Sequence, residues 1–270
     1  MAEDARLAYL QARLQARHGD RPGADDWRVA EASADLSHFL EAVRRSALKR
    51  WIGDVNPEMA PEAIERHFRA AWRAAVDEVA DWSPEEWRAA VAWLRWLPDL
   101  PAIEHLLRGL KIPPWMRADP VLKEIAFEDP QRRLDAIAEQ PLAPLLENDA
   151  EEPLFDAPPD PDAPRVVARW VAAWRRRLPR GARAHRDELT ALLEQVQAHL
   201  EAMRASAEPD GRALRNTLAA GLARRFRKSA GTVMALFAHL LLDGLELERV
   251  RAGVMARRLL PERPEGRTWA

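Results

Sequence analysis

The chain has 270 residues, of which 47% are hydrophobic and 31% are charged, and it contains no cysteine. This length can bury a substantial core in one large domain or two smaller ones, while the lack of cysteine excludes disulfides, thiol catalysis and cysteine metal sites. The formal net charge of −2 argues against a general polyanion binder, because affinity for phosphate backbones comes from clustered excess positive charge. Abundant Ala, Leu, Arg and Glu, without recurring period-two alternation, predict an all-α fold.

Amphipathic helices are expected throughout the first eighty residues. Leu7, Leu10 and Leu14 predict a first helix that ends near Gly19, and a short helix is expected around Trp27. Apolar residues then recur at helical spacing over residues 36–52 and again over residues 64–79.

Residues 81–110 carry the clearest local signals in the chain. Ser83 is placed as a helix N-cap with Glu86 three positions later, which predicts a capping box. The helix is expected to run until Pro98, which cannot continue the hydrogen-bond ladder. A second helix then leads to Gly109, so this stretch predicts an angled pair of helices without catalytic chemistry.

Two segments are expected to lack long helices. The segment KIPPWMRADP, residues 111–120, predicts an extended connector because consecutive prolines disfavour helix, and short helical pieces follow at 121–125 and 134–138. Residues 148–164 are rich in proline and acid and predict a linker or exposed loop. The expected division is therefore an N-terminal helical lobe over 1–147, the acidic linker, and a C-terminal helical lobe over 165–270.

The C-terminal lobe is expected to consist of five helices. The apolar pattern places them at roughly 166–178, 189–203, 214–226, 231–242 and 245–259.

Charge is distributed in blocks along the chain. Residues 147–162 contain acids and no base, whereas residues 165–186 contain many arginines and no acid. A basic helix end is most simply a solvated surface that suits the helix dipole. It also suits an acidic protein partner, anionic lipid head groups or nucleic acid, and of these we predict a protein partner because no nucleic-acid module accompanies the charge. Trp115 differs from most of the tryptophans because it is expected in the connector and not on the core-facing side of a helix. The candidate partner-interface residues are Trp115, Arg175, Arg176, Arg177, Arg180, Arg183, Arg224 and Arg225.

Patterns for catalysis, metals and cofactors are weak. No H-x-x-x-H or HExxH spacing brings two of the seven histidines onto one helical face, as a zinc site needs. The paired acids Glu85 and Glu86 are explained by the helix start, and the glycines form no phosphate-cradling loop after a strand. We therefore predict a protein that is not an enzyme and uses no metal or cofactor, with protein partners and no nucleic acid.

A short internal similarity suggests pseudo-repeated helical lobes. Residues 40–43, LEAV, are followed by apolar pairs at the same spacing as residues 134–137, LDAI. Two amphipathic helices can match by chance, so duplication and coincidence both remain open from this pattern.

Several segments together resemble a known family. The apolar residues 235–242 followed by E-L-E-R-V-R at 246–251 resemble the "apolar helix, then E-I-R-N-L-R" signature of the C subunits of V/A-type ATPases, which are called d subunits in eukaryotes. Residues 99–109, DLPAIEHLLRG, are similar to that family's "I-D-L-x-N-L-x-x-L-L-R-G" element. The start AYLQARL at 8–14 and the LEAV and LDAI helices resemble further elements of the family. Arg249 stands where the family usually has Asn.

The resemblance implies a funnel-like or solenoid-like helical array, with the family's three lobes reduced here to two clear ones. Such a protein would sit on the membrane rotor ring and hold the end of the central shaft, coupling them mechanically without catalysis. The alternative is a helical adaptor of another assembly. Acids near the start argue against a signal peptide, and the lack of a long apolar run argues against a membrane span, so we expect a cytoplasmic protein. The resemblance implies that it is attached peripherally to the inner face of the cell membrane.

Overall fold

The computed structural model describes residues 2–147, 165–180, 185–205 and 211–260. Helices and connecting turns make up these residues, and no strand occurs among them, which confirms the all-α prediction. In chain order the α-helices are α1 (Ala2–Gly19), α2 (Ala24–Ala32), α3 (Leu36–Arg44), α4 (Pro61–Trp82), α5 (Glu85–Trp93), α6 (Leu100–Leu107), α7 (Pro114–Ala118), α8 (Pro130–Ala138), α9 (Arg165–Arg177), α10 (Arg186–Ala205), α11 (Arg212–Lys228) and α12 (Met234–Leu259). The 3₁₀ helices are Ala47–Trp51, Leu94–Asp99, Leu122–Glu124 and Ala143–Leu145.

The contacts divide the chain into two compact units, one of Met1–Pro84 with Arg180–Ala270 and one of Glu85–Pro179. We call them the first and second units. This division differs from the lobes expected from sequence order, because α9 packs on α5 and α6, whereas α12 packs on α1, α3 and α4. The linker expected at 148–164 lies outside the described residues.

The long helix α12 forms the centre of the first unit. It contributes a series of buried apolar side chains, and α1, α3, α4 and α11 pack around it. Two helices separated near Gly244 were expected here, but α12 is continuous from Met234 to Leu259. Gly244 lies within it against the ring of Trp72, where an added Cβ would come within 3.3 Å of the ring. A glycine in a helical pattern therefore marks close packing here and not a helix end.

Close packing against a second glycine leads to a stability prediction. A Cβ on Gly253 would lie 2.5 Å from the ring of Phe39, which is 1% exposed and has little room to move. We expect Gly253→Ala to lower the free energy of unfolding by about 1–3 kcal/mol through overpacking, measured by urea denaturation. Gly19→Ala is the control, since nothing lies within 4 Å of the added Cβ. Equal stabilities of the two variants would contradict the packing described for α3 and α12.

The second unit is held by a tryptophan pair and a buried arginine. Trp93 donates its indole N–H to the carbonyl of Trp170 at 3.0 Å, and their rings stack with centroids 6.4 Å apart. This contact fixes α9 against α5. Arg133, only 4% exposed, donates to the carbonyls of Leu106 at 2.6 Å and Phe127 at 2.9 Å. The arginine thereby joins the C-terminal end of α6 to the turn before α8.

Two local expectations for the stretch from Ser83 to Pro98 differ from the structure. The Ser83 hydroxyl donates to the carbonyl of Val79 at 2.7 Å and so belongs to the end of α4, while Glu86 accepts the indole N–H of Trp87 at 3.1 Å. The helix expected to continue to Pro98 ends at Trp93, and the chain tightens into a 3₁₀ helix around the proline. Pro98 cannot donate to the α-helical ladder, which favours this tighter turn.

The prediction that residues 111–120 form an extended connector is also wrong. Pro114 starts the short helix α7, with Pro113 in extended conformation as its N-cap. Proline is well suited to the first helical position because its φ is already helical and its missing N–H would be unpaired there. Met116 on this helix is buried and anchors it.

The two segments of the internal similarity share a local structure. Each is a nine-residue α-helix, α3 or α8, followed by a 3₁₀ helix. In each, an aspartate caps the start: Asp35 accepts from the His38 N–H at 2.9 Å, and Asp129 accepts from the Arg132 N–H at 2.7 Å. The similarity therefore extends to backbone conformation and capping.

Among the described helices, none is both long enough and apolar enough to cross a bilayer.

Candidate functional site

Three polar residues interrupt the apolar face of α12. His239, Asp243 and Glu246 are spaced by four and three positions, which aligns them along one side of the helix. They are 1%, 2% and 9% exposed, respectively. Because a buried charge is costly unless it is paired, their stability depends on partners from other elements.

Two arginines supply these partners. Arg21, in the turn after α1, bonds to the carboxylates of both Asp243 and Glu246 and donates to the His239 carbonyl at 3.1 Å. Arg50, in the 3₁₀ helix Ala47–Trp51, donates from Nη2 to Asp243 Oδ1 at 2.8 Å and to Glu246 Oε2 at 2.6 Å. We call Arg21, Arg50, His239, Asp243 and Glu246 the buried ion network. It joins three separate stretches of the first unit.

The network balances its charges. Two arginines face two carboxylates, so no net charge is buried when His239 is neutral. Burial works to raise the pKa of Asp243, but the attraction of His239, Arg21 and Arg50 outweighs it and the pKa is lowered. Burial works to lower the pKa of Arg50, but Asp243 and Glu246 raise it. Each charged form is thus stabilised by its neighbours.

His239 is held neutral at the centre of the network. Its pKa is lowered to about 4, chiefly by burial and also by the positive charges of Arg21 and Arg50, although Asp243 works in the opposite direction. Its Nδ1 lies 3.3 Å from Nη2 of Arg21, and its Nε2 lies 3.5 Å from Oδ2 of Asp243. An arginine only donates, so Nδ1 accepts and the ring proton resides on Nε2, facing Asp243.

The geometry suits stabilisation of the fold better than acid–base chemistry. The His239 and Asp243 side chains have the composition of an acid–base pair, but they are only 2% and 3% exposed. Asp243 and Glu246 both already accept from both arginines. Within the described part of the chain, no group of three or more His, Asp or Glu residues is arranged to hold a metal ion. The network therefore fastens α12 to the N-terminal helices.

The arginines of α9 were predicted to contact a partner, and they belong to the second unit. Arg176 is about half exposed and pairs with Glu147 at 2.5 Å. Arg177 lies over the ring of Trp93 at 3.9 Å and donates to the Ala173 carbonyl at 2.7 Å. Burial, followed by the charge of Arg176, lowers the pKa of Arg177. Arg177 thus contributes to packing, whereas Arg176 is exposed to solvent.

The remaining predicted interface residues are distributed over both units. On α11, Arg224 is exposed, while Arg225 is half-buried and donates to Gln195 and to the Ala191 carbonyl of α10, each at 3.4 Å. In the second unit, Trp115 is half-buried on α7 and Arg175 is half-buried on α9. Arg180 is exposed, and Arg183 lies outside the described residues.

Sequence reasoning did not find the buried ion network. A signal for it is present, since three polar residues at helical spacing within an apolar stretch predict an internal polar cluster. The partners Arg21 and Arg50 are about two hundred positions away along the chain, and many other arginines are equally plausible from sequence alone.

The fold and this network define an all-helical protein whose first unit is organised by paired internal charges. Comparisons with protein-family models, with curated proteins and with solved structures found no significant match.

Proposed function

We propose that this chain is a non-catalytic coupling subunit of a V/A-type rotary ATPase. The proposal rests on one observation, which is that three of the segments resembling that family pack into the same unit. They are residues 8–14 on α1, residues 40–52 on α3 and the following 3₁₀ helix, and residues 235–251 on α12. These segments lie far apart in sequence, and the elements that carry the first two contact α12, which is compatible with their forming one element of the proposed subunit.

Specific contacts join these segments. Gln11 on α1 donates to the carbonyl of Thr232, just before α12, at 2.7 Å. Arg50 pairs with Glu246, the first residue of the E-L-E-R-V-R segment. The motif residues thus maintain the fold, which is compatible with a mechanical role in which shape matters more than reactive groups.

The proposed arrangement is a funnel-like or solenoid-like array of helical lobes, with one rim on the rotor ring and the hollow around the shaft. Exposed arginines at the ends of α9 and α11, represented by Arg176 and Arg224, are proposed to contact acidic surfaces of these partners. Positive patches of this kind mainly increase association rate and specificity.

Affinity purification from native membranes tests the proposal. The tagged chain is recovered in mild detergent after crosslinking, and co-purified proteins are identified by mass spectrometry. We expect enrichment of rotor-ring and central-shaft subunits over a tag-only control. Recovery without either kind of subunit would overturn the proposal.

A matched pair of variants tests the contribution of the basic surface. Arg224→Glu is expected to reduce recovery of these partners about tenfold through like-charge repulsion. Arg45→Glu is the control, because Arg45 is an exposed arginine of the same unit whose side chain is 77% exposed. Equal recovery with both variants would remove α11 from the proposed interface.

A helical adaptor of another assembly is the second candidate. It is favoured by Arg249, a position that departs from the family pattern, because its side chain is committed to this chain's own packing. Arg249 lies over the ring of Trp27 at 4.1 Å. Enrichment of partners unrelated to rotary ATPases in the same purification would select this candidate.

A further inference from the structure

Three helices of the first unit line an open surface cavity away from the buried ion network. Its volume is about 610 Å³, within the range of roughly 300–1,000 Å³ that is typical of small-molecule sites. Residues of α2, α11 and α12 form its walls. They are Ala24, Trp27, Arg28, Glu31, Ala32, Arg212, Asn216 and Arg249.

Arginine side chains dominate the charged lining of this cavity. Three arginines and one glutamate line it, and Asp25, just outside the lining, pairs with Arg28. Arginine is suited to phosphate and carboxylate groups because its planar fork of donors matches two oxygens at once.

One of the arginines is already fixed in position. Arg249 donates from Nε to Glu31 Oε1 at 2.6 Å, and its guanidinium lies 4.1 Å from the centre of the Trp27 ring. The glutamate and the tryptophan thus hold Arg249 in place before any ligand arrives. A pre-positioned donor loses less conformational entropy on binding.

The other two arginines are more exposed. Arg212 is 3.6 Å from Glu31, longer than a hydrogen bond, and its side chain is 56% exposed. Arg28 pairs with Asp25 at 2.9 Å, where the side chains are 75% and 88% exposed. Exposed pairs of this kind are weak, so the guanidinium group of Arg28 can exchange Asp25 for an anion at low cost.

The position of Arg212 within its helix also favours a nearby anion. It is the first residue of α11, whose first turn contains no acid. A positive side chain is unfavourable at this end of the helix dipole, and a bound anion would offset the repulsion.

We propose that the cavity binds a small organic phosphate. A phosphomonoester carries about −1.5 to −2 charges at pH 7 and offers several oxygens to the forked donors of arginine. Arg28 and Arg212 would contact the phosphate oxygens, Asn216 would add an amide donor, and Trp27 with the two alanines would contact the organic part. This inference does not depend on the proposed rotary assembly.

Calorimetric titration with phenyl phosphate tests the site. We expect saturable binding in the millimolar range or tighter, and binding of benzoate about tenfold weaker because it carries one negative charge. Absence of saturable phenyl phosphate binding up to about 10 mM would overturn the proposal, and so would equal binding of benzoate.

Two variants assign the binding to the cavity. Arg212→Ala and Arg28→Ala are each expected to weaken phenyl phosphate binding about tenfold, the effect of losing a charge-assisted hydrogen bond. Arg227→Ala, which removes an exposed arginine elsewhere on α11, is the matched control and is expected to bind like the parent chain. Helical content is checked by circular dichroism. Equal weakening by all three variants would indicate diffuse charge attraction and overturn the assignment, as would unchanged binding in both cavity variants.

Vesicles distinguish two sources of the phosphate group. Competition by phosphatidylcholine vesicles containing phosphatidic acid, but not by phosphatidylcholine alone, would indicate a lipid headgroup. Lack of competition is the expected result, and it would indicate a soluble organic phosphate.

Discussion

Replacement of Asp243 by alanine is expected to lower the free energy of unfolding by about 3–5 kcal/mol, the usual cost of removing one partner from a buried ion pair. Asp243 is 2% exposed and bonds to both Arg21 and Arg50. Without it, two arginines would share the single carboxylate of Glu246, and an uncompensated positive charge would remain in the core. Urea denaturation followed by far-ultraviolet circular dichroism measures the change.

Glu248→Ala provides the control for this experiment. Glu248 is an acid on the same helix, but its side chain is 57% exposed and pairs with Arg251 at 3.0 Å. Exposed pairs contribute about 0–1 kcal/mol, so this variant is expected to remain near the parent stability. A loss for Asp243→Ala no larger than that for Glu248→Ala would contradict the structural role of the buried ion network.

The stability of the chain is expected to fall as the pH is lowered from 6.5 toward 4, because of His239. Burial lowers the pKa of His239 in the folded state to about 4 from an ordinary value of 6.5. Between these two values the unfolded chain binds more protons than the folded chain, so stability rises with pH and is lost on acidification. The full contribution is about 3 kcal/mol, since one pKa unit corresponds to about 1.4 kcal/mol. Asp243, whose folded-state pKa is lowered from 3.8, loses its contribution below this window.

Denaturation curves measured at a series of pH values test this expectation. The His239→Leu variant is expected to show a flatter loss between pH 6.5 and 4 than the parent chain, whatever its stability at neutral pH. His38→Leu is a control of opposite sign. Hydrogen bonding to Asp35 raises the pKa of His38, so its contribution is present below pH 6.5 and is lost as the pH rises through the folded-state value. Parallel curves for the parent and His239→Leu would exclude His239 as the source.

Local sequence signals predict helices well and their ends less well. The periodicity over residues 64–79 corresponds to α4, and the pattern around Trp27 corresponds to α2. The predicted helix ends are wrong where the same residue type is compatible with two local structures. Gly244 suggests a helix break but permits Trp72 to approach α12, and the prolines before Trp115 suggest an extended segment but begin α7.

Long-range pairing is beyond the reach of local patterns. The sequence order suggests that residues after the acidic segment form one lobe, yet α9 packs with α5 and α6. The apolar stripe of α9 is compatible with many helical surfaces, so periodicity alone does not select its neighbours. The same ambiguity applies to the arginines, because Arg177 lies on Trp93 while Arg176 remains exposed, although the two are adjacent in sequence.

The amino-acid sequence by itself determined the all-α class, the approximate position of most helices and the core-facing side of each, because helix periodicity and capping act over a few residues. Only the tertiary structure decided which helices share a unit, how Arg21 and Arg50 meet the acids of α12, and where arginines of three helices line one surface cavity. These features depend on contacts between surfaces that are distant in sequence. Because many helices carry similar apolar stripes and the chain contains many arginines, the sequence allows many pairings, and only side-chain packing selects among them.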